Sequence, residues 1–291
     1  MRLHVGTRGA TRGTLSFSEG AFLLTTSLRV GLLVCALLLH PTAIYASDDV
    51  DPGTVPGKVT SSWFLEIPSG GRLRVVNPFG DVHARFGGYE DQAEILATSQ
   101  RLETDRPELE VRLSSGDAQA DVLVAYSRPV EHADTRDRID LVVFVPQGVT
   151  LDVRTHDGRI EVKGLHGNVT ASSLTGSIHV RSVSGRVRTK SARGDIVAHL
   201  ETGVTGEPQE LATETGSIEV WLWEDANLDV DLWTSGEIST DYSLSVEHQR
   251  FEEPSKHAVA VVGEGGAALS LKSKQGNLRL LRLFKHFKRE P

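Results

Sequence analysis

LDVRTHDGRIEVKGLHGNVTASSLTGSIHVRSVSGRVRTKSARGDIVAHL, residues 151–200, writes one unit three times over. Glycines fall nine apart at Gly158, Gly167, Gly176, Gly185, Gly194 and Gly203. Two strand-sized pieces alternate between them, so the true repeat is 18 residues, and a fixed period of that size marks a solenoid. Before each glycine of the first class stand Leu151, Val153 and Thr155, then Val169, Ala171 and Ser173, then Val187, Thr189 and Ser191. After it stand Ile160 and Val162, Ile178 and Val180, Ile196 and Ala198. This is period-two alternation on both sides of a corner, with Arg154, Glu161, Lys163, His179, Arg181, Arg188 and Lys190 left for the face toward water. Glycine answers the corner's need for a positive φ or a close backbone approach, and the hydroxyls of Thr155, Ser173 and Ser191 are expected to stack there.

Outward from the repeat, the pattern persists. Leu73, Val75 and Asn77 before Gly80, with Val82 and Ala84 after it, match the unit 78 residues upstream. Downstream, Leu211 and Thr213 precede Gly216, with Ile218 and Val220 after it. Leu228, Val230 and Leu232 precede Gly236 with one extra residue, which suggests a bulge. Leu269, Leu271 and Ser273 before Gly276 restore the original register. The expected fold is all-β, a β-solenoid of about six coils of roughly 18–22 residues. An inward row of Ile160, Ile178, Ile196, Ile218 and Ile238 should run through it. Strand candidates at 94–99, 109–113, 122–126 and 139–145 are expected to form a β-sheet cap over its N-terminal end.

The expected organisation follows. Residues 1–46 have the layout of a secretory signal: Arg29, an apolar run from Val30 to Leu39, then Ala43-Ile44-Tyr45-Ala46. Residues 47–60 form a lead-in rich in proline and glycine. The solenoid domain spans 61–283, divided into cap (61–147) and coils (148–283), and 284–291 is a basic tail. Cys35, the single cysteine, lies inside the apolar run, so the exported part would hold no disulfide and no thiol nucleophile. The formal net charge of −8 argues against a general nucleic-acid binder, whose affinity comes from neutralising phosphates.

The run VVFVPQGVTLDVRTHDGRIEVKGLHGNVTASSLTGSIHV, Val142–Val180, resembles the core of the putative-adhesin domain family of bacterial envelope proteins. Its signature is Val145-Pro146, Gly148, then Leu151-x-Val153-x-Thr155, two residues, and Gly158-x-Ile160-x-Val162. LRVVNPFGDVHA, Leu73–Ala84, is similar to that family's opening, and the resemblance covers about residues 60–282. It implies an exported or envelope location and stacked strands, and it carries no catalytic residues to transfer.

No nucleophile elbow, zinc-protease helix, Walker loop or dinucleotide fingerprint occurs in the chain. Asp157, Glu161 and Glu219 are the carboxylates that polysaccharide chemistry would use. Glu161 and Glu219, however, share an outward column with His179 and Val197 between them, which favours a surface ladder. His156, His166, His179 and His199 occupy different columns, whereas zinc requires ligands converging on one point. The expectation is therefore a non-enzyme with no cofactor and no metal.

Two surfaces remain. Trp221 and Trp233, with Glu219 and Asp229, could stack on sugar rings and bind their hydroxyls; the competing reading covers Trp221 with the 246–266 insertion and turns Trp223 inward. In the tail, a helix over 279–289 would put Leu280, Leu283, Phe284 and Phe287 on one face. Arg282, Lys285, Lys288 and Arg289 would then be available to an anionic membrane surface or acidic partner. The competing reading makes Leu278 and Leu280 strand and uses the tail as a cap. The function expected is an adhesin-like binding or scaffold module with an unidentified envelope protein or glycan partner. A carbohydrate-binding module or a polysaccharide-active β-helix enzyme is the alternative.

Overall fold

The computed structural model describes residues 58–89, 91–100, 109–127, 137–201, 206–249 and 252–284. The signal-like segment, Gly203 and residues 285–291 lie outside them. All regular structure among the described residues is strand. The first seven are β1 (Lys58–Glu66), β2 (Arg72–Phe79), β3 (Val82–Phe86), β4 (Gln92–Gln100), β5 (Leu109–Ser115), β6 (Gln119–Tyr126) and β7 (Arg138–Val145). The 18-residue repeat supplies β8 (Thr150–Asp157), β9 (Ile160–Lys163), β10 (Val169–Ser173), β11 (Ile178–Val183), β12 (Val187–Ser191) and β13 (Ile196–Leu200). Beyond it come β14 (Gln209–Thr213), β15 (Ile218–Trp223), β16 (Leu228–Thr234) and β17 (Ile238–Thr240). The last four are β18 (Ser245–His248), β19 (Lys256–Val262), β20 (Ala267–Ser273) and β21 (Leu278–Leu283).

Each coil gives one strand to each of two sheets. The first sheet runs β1-β4-β7-β3-β9-β11-β13-β15-β21-β17, and the second β18-β19-β16-β20-β14-β12-β10-β8-β2-β6-β5. Inward side chains of both meet in one core, in which Ile160, Ile178, Ile196 and Ile218 stack in register and are fully buried. A buried residue of this kind contributes about 1.5–3 kcal/mol.

Backbone crowding, more than backbone conformation, explains the corner glycines. A Cβ on Gly176 would stand 1.8 Å from the carbonyl oxygen of Gly158, and one on Gly276 would stand 1.8 Å from that of Gly216. Coils at strand spacing leave no room there for a side chain. Beside the glycines runs a buried polar column: Asn77, Thr155, Ser173, Ser191, Thr213, Ser273 and Thr234. Thr155 Oγ1 donates to Ser173 Oγ at 3.0 Å, Ser191 Oγ to the Gly176 carbonyl at 3.3 Å, and Ser273 Oγ to the Gly216 carbonyl at 2.7 Å. These bonds satisfy polar groups that the corner removes from water.

In its strands the structure differs from the sequence expectation in four places. Residues 58–60, assigned to the lead-in, are strand and open β1. The strands expected to form a separate cap instead extend both sheets: β7, β4 and β1 lengthen the first, and β6 and β5 the second. Coil order is not chain order. The Gly276 coil, β20 and β21, lies between the Gly216 coil and the Gly236 coil, so Leu278 separates Ile218 from Ile238 in the inward row. No register shift interrupts β16: Val230, Leu232 and Thr234 match Leu269, Leu271 and Ser273, and the corner after them is one residue shorter. Residues 279–283 are strand, as the assignment of Leu278 and Leu280 to the last coil expects, and not the start of the alternative helix over 279–289. Leu280 is buried, and Arg282 lies with its guanidinium 4.9 Å from the Tyr242 ring centre.

Candidate binding face

Parallel, in-register stacking turns one outward residue per coil into a straight row. On the first sheet one such row runs Phe64, Glu94, Phe144, Arg85, Lys163, Arg181, His199, Trp221 and Leu281, each paired with the next. Beside it, His83, Glu161, His179, Val197, Glu219 and Arg279 form a second row. At about 4.8 Å per strand, Phe144 to Trp221 spans about 24 Å.

Charges on this face are unevenly matched. Glu161 receives Arg85 Nη1 at 3.0 Å, with His83 Nδ1 at 3.2 Å and Arg181 Nη2 at 3.9 Å from its carboxylate. Hydrogen bonding from Arg85 holds its carboxyl below the ordinary carboxylate range. Glu219 accepts from Trp221 Nε1 and from Arg279 Nη1, each at 2.7 Å. Burial pushes the pKa of His179 down, reinforced by Arg159 and Arg181, and burial with Arg181 does the same to His199. Both rings are therefore neutral at pH 7, and the standing positive charge comes from arginine and lysine. Lys163 has no carboxylate within ion-pair distance among the described residues.

Glu161 and Glu219 are three strand spacings apart, about 14 Å. Paired glycosidase carboxylates sit within about 9.5 Å of each other. Asp157, exposed, accepts from Thr175 Oγ1 at 3.0 Å on the neighbouring corner.

The tryptophans that are close in sequence are not close in space. Trp221 and Glu219 project from β15 on the first sheet. Trp233 and Asp229 project from β16 on the second, facing the other way. Trp233 Nε1 donates to Asp231 Oδ2 at 2.7 Å, and its ring is stacked at 4.0 Å on His257, whose Nε2 lies 2.6 Å from Asp231 Oδ1. Asp229 borders an open groove of about 640 Å³ with Leu244, Val259 and Val261. The insertion therefore packs beside Trp233 rather than over Trp221, which stays half-buried next to His199 and Leu281. Nor does Trp223 turn inward. In β11 an irregularity at Ser182, φ 52°, delays the inward residue to Val183, but β15 has none, so Leu222 takes that place fully buried. Of the tail cations, Arg282 belongs to β21, its backbone N–H donating to Asp241 Oδ2 at 2.9 Å; Lys285, Lys288 and Arg289 lie outside the described residues.

Sequence reasoning did not single out Phe144, Arg85, Lys163 and Arg181 as a group. The signal was available, because Lys163 and Arg181 hold the same position five residues after successive glycines, as Arg85 does after Gly80.

Solved structures similar to the chain include a putative cell adhesion protein from Clostridium sporogenes, at 8% identity and TM-score 0.46 over 77% of this chain and 100% of that one. A putative adhesin from Bacteroides fragilis is similar at 10% identity and TM-score 0.32, over 79% and 100% of the two chains. No curated protein matches the chain. Residues 102–281 match the Toastrack DUF4097 family, and with the glycine-cornered coils described above, the chain belongs to that family.

Proposed function

We propose that the protein is an exported, non-catalytic binding module of the cell envelope, adhesin-like or scaffolding, that works through the outer face of its first sheet. The observation that carries this is the unbroken row from Phe144 to Trp221, which offers aromatic, cationic and imidazole side chains at a regular spacing on rigid strands. Export is supported by the apolar run Val30–Leu39 and the small residues that follow it. The distance between Glu161 and Glu219 weighs against the polysaccharide-cleaving alternative. The test is fractionation of the native cells followed by binding of the full chain to isolated envelope fragments. Recovery in the envelope with saturable binding is expected, and a purely cytosolic distribution overturns the proposal. Release of new reducing ends from envelope polysaccharide, lost in Glu161→Gln, would restore the enzyme reading.

A further inference from the structure

We propose that this face takes a linear acidic polysaccharide, laid across the strands from Phe144 toward Trp221. The inference rests on the binding-module reading above and specifies its ligand.

The argument begins with an electrostatic cost. Arg85, Lys163 and Arg181 stand directly opposite one another on three consecutive strands. Like charges so placed are destabilising. Glu161 neutralises Arg85 at 3.0 Å, touches Arg181 only at 3.9 Å, and leaves Lys163 without a carboxylate within ion-pair distance among the described residues. The second sheet avoids this arrangement. There Arg154 pairs with Asp152 on its own strand and Arg188 with Glu210 on the next, while Lys190 has Ser172 and Ala212 as its cross-strand neighbours. Uncompensated cations on one face of a chain with formal net charge −8 are charge-complementary to an anionic ligand.

The shape of the row selects among anions. Its cations are spaced at about 4.8 Å, close to the advance of one sugar ring in an extended chain, so successive carboxylates can meet successive strands. Aromatic rings flank the cations: Phe144 beside Arg85, and His199 beside Trp221 with ring centres 5.9 Å apart. Half-buried and held on strands, such rings present flat apolar surface to sugar faces at little entropic cost. Duplex nucleic acid fits less well, because three cations across about 10 Å neutralise few phosphates while the remaining acidic body repels the rest.

The test uses the full chain in affinity electrophoresis through gels containing polygalacturonate, with neutral dextran as control. Retardation by polygalacturonate and not by dextran is expected, weakening as salt rises. Lys163→Ala with Arg181→Ala should weaken it roughly tenfold with no fall in melting temperature, since the repulsion among the three cations is relieved, and Trp221→Ala should weaken it without altering the salt dependence. Arg74→Ala with Lys190→Ala, on the second sheet, should leave it intact. Equal weakening by the second-sheet pair, or loss only on deletion of residues 285–291, overturns the inference, as does absence of retardation. Stronger binding to duplex DNA or to phosphatidylglycerol vesicles through Lys163 and Arg181 replaces the glycan with that partner. Envelope binding that survives Lys163→Ala with Arg181→Ala sinks the glycan while sparing the binding module.

Discussion

At the scale of single residues, Gly176 and His179 show what a stacked coil demands. Alanine at position 176 would drive a methyl group into the Gly158 carbonyl, and the coils can part only by breaking their shared hydrogen bonds. Gly176→Ala is expected to cost about 3 kcal/mol or more, at the top of the range for overpacking. Gly116→Ala, where the nearest atom would be at an ordinary 3.8 Å, should be close to neutral by urea unfolding. His179 and His199 set a pH dependence. Their pKa values lie below the unfolded value of about 6.5 because burial and Arg181 disfavour the imidazolium. The unfolded chain binds the proton first, so their contribution to stability is complete above about pH 6.5 and is lost as pH falls through the folded values. His179→Gln should flatten the acid side of the stability profile. A bound polyanion acts in the opposite sense, favouring the imidazolium, so its affinity should rise on mild acidification.

At the scale of strands, sequence pattern located most elements and failed where alternation was broken or degenerate. Period-two spacing about the glycines placed the inward rows of β8 to β15 correctly. It misassigned Trp223 because the template was β11, whose irregularity at Ser182 is a local backbone event that no alternation reports. The energetic consequence is testable by thermal melting: Leu222→Ala should cost about 2–5 kcal/mol, whereas Trp223→Ala, from a half-buried outward position, should cost less. The separation of Trp221 from Trp233 was legible in principle, since residues after a glycine enter one sheet and residues before it the other. The cationic row was legible only once Gly80 was aligned with Gly158. A separation of 78 positions along the chain hides that adjacency, although Gly80 and Gly158 touch in space.

At the scale of the whole molecule, coil order was not legible because the repeat does not encode it. Any coil with inward aliphatics, a corner hydroxyl and a glycine can stack on any other, and the connections choose among the possibilities. After β17 the chain returns through β18 and β19, with β19 antiparallel to one edge of β16, and β20 then adds to the other edge. Ending the chain at Gly266 removes β20 and β21, which bridge β14 to β16 and β15 to β17, and should abolish cooperative unfolding followed by circular dichroism.

That bridging coil has a consequence for how the protein is made. Most stacked-coil chains can add layers as they leave the ribosome, each new turn docking on the last. Here the last coil among the described residues is an inner one, so β16 to β19 must wait with an open edge until residues 267–283 emerge to join them to the growing stack. This part of the stack therefore closes out of chain order rather than coil by coil. A nascent chain stalled just short of β20 should remain protease-sensitive from β16 onward while its earlier coils resist.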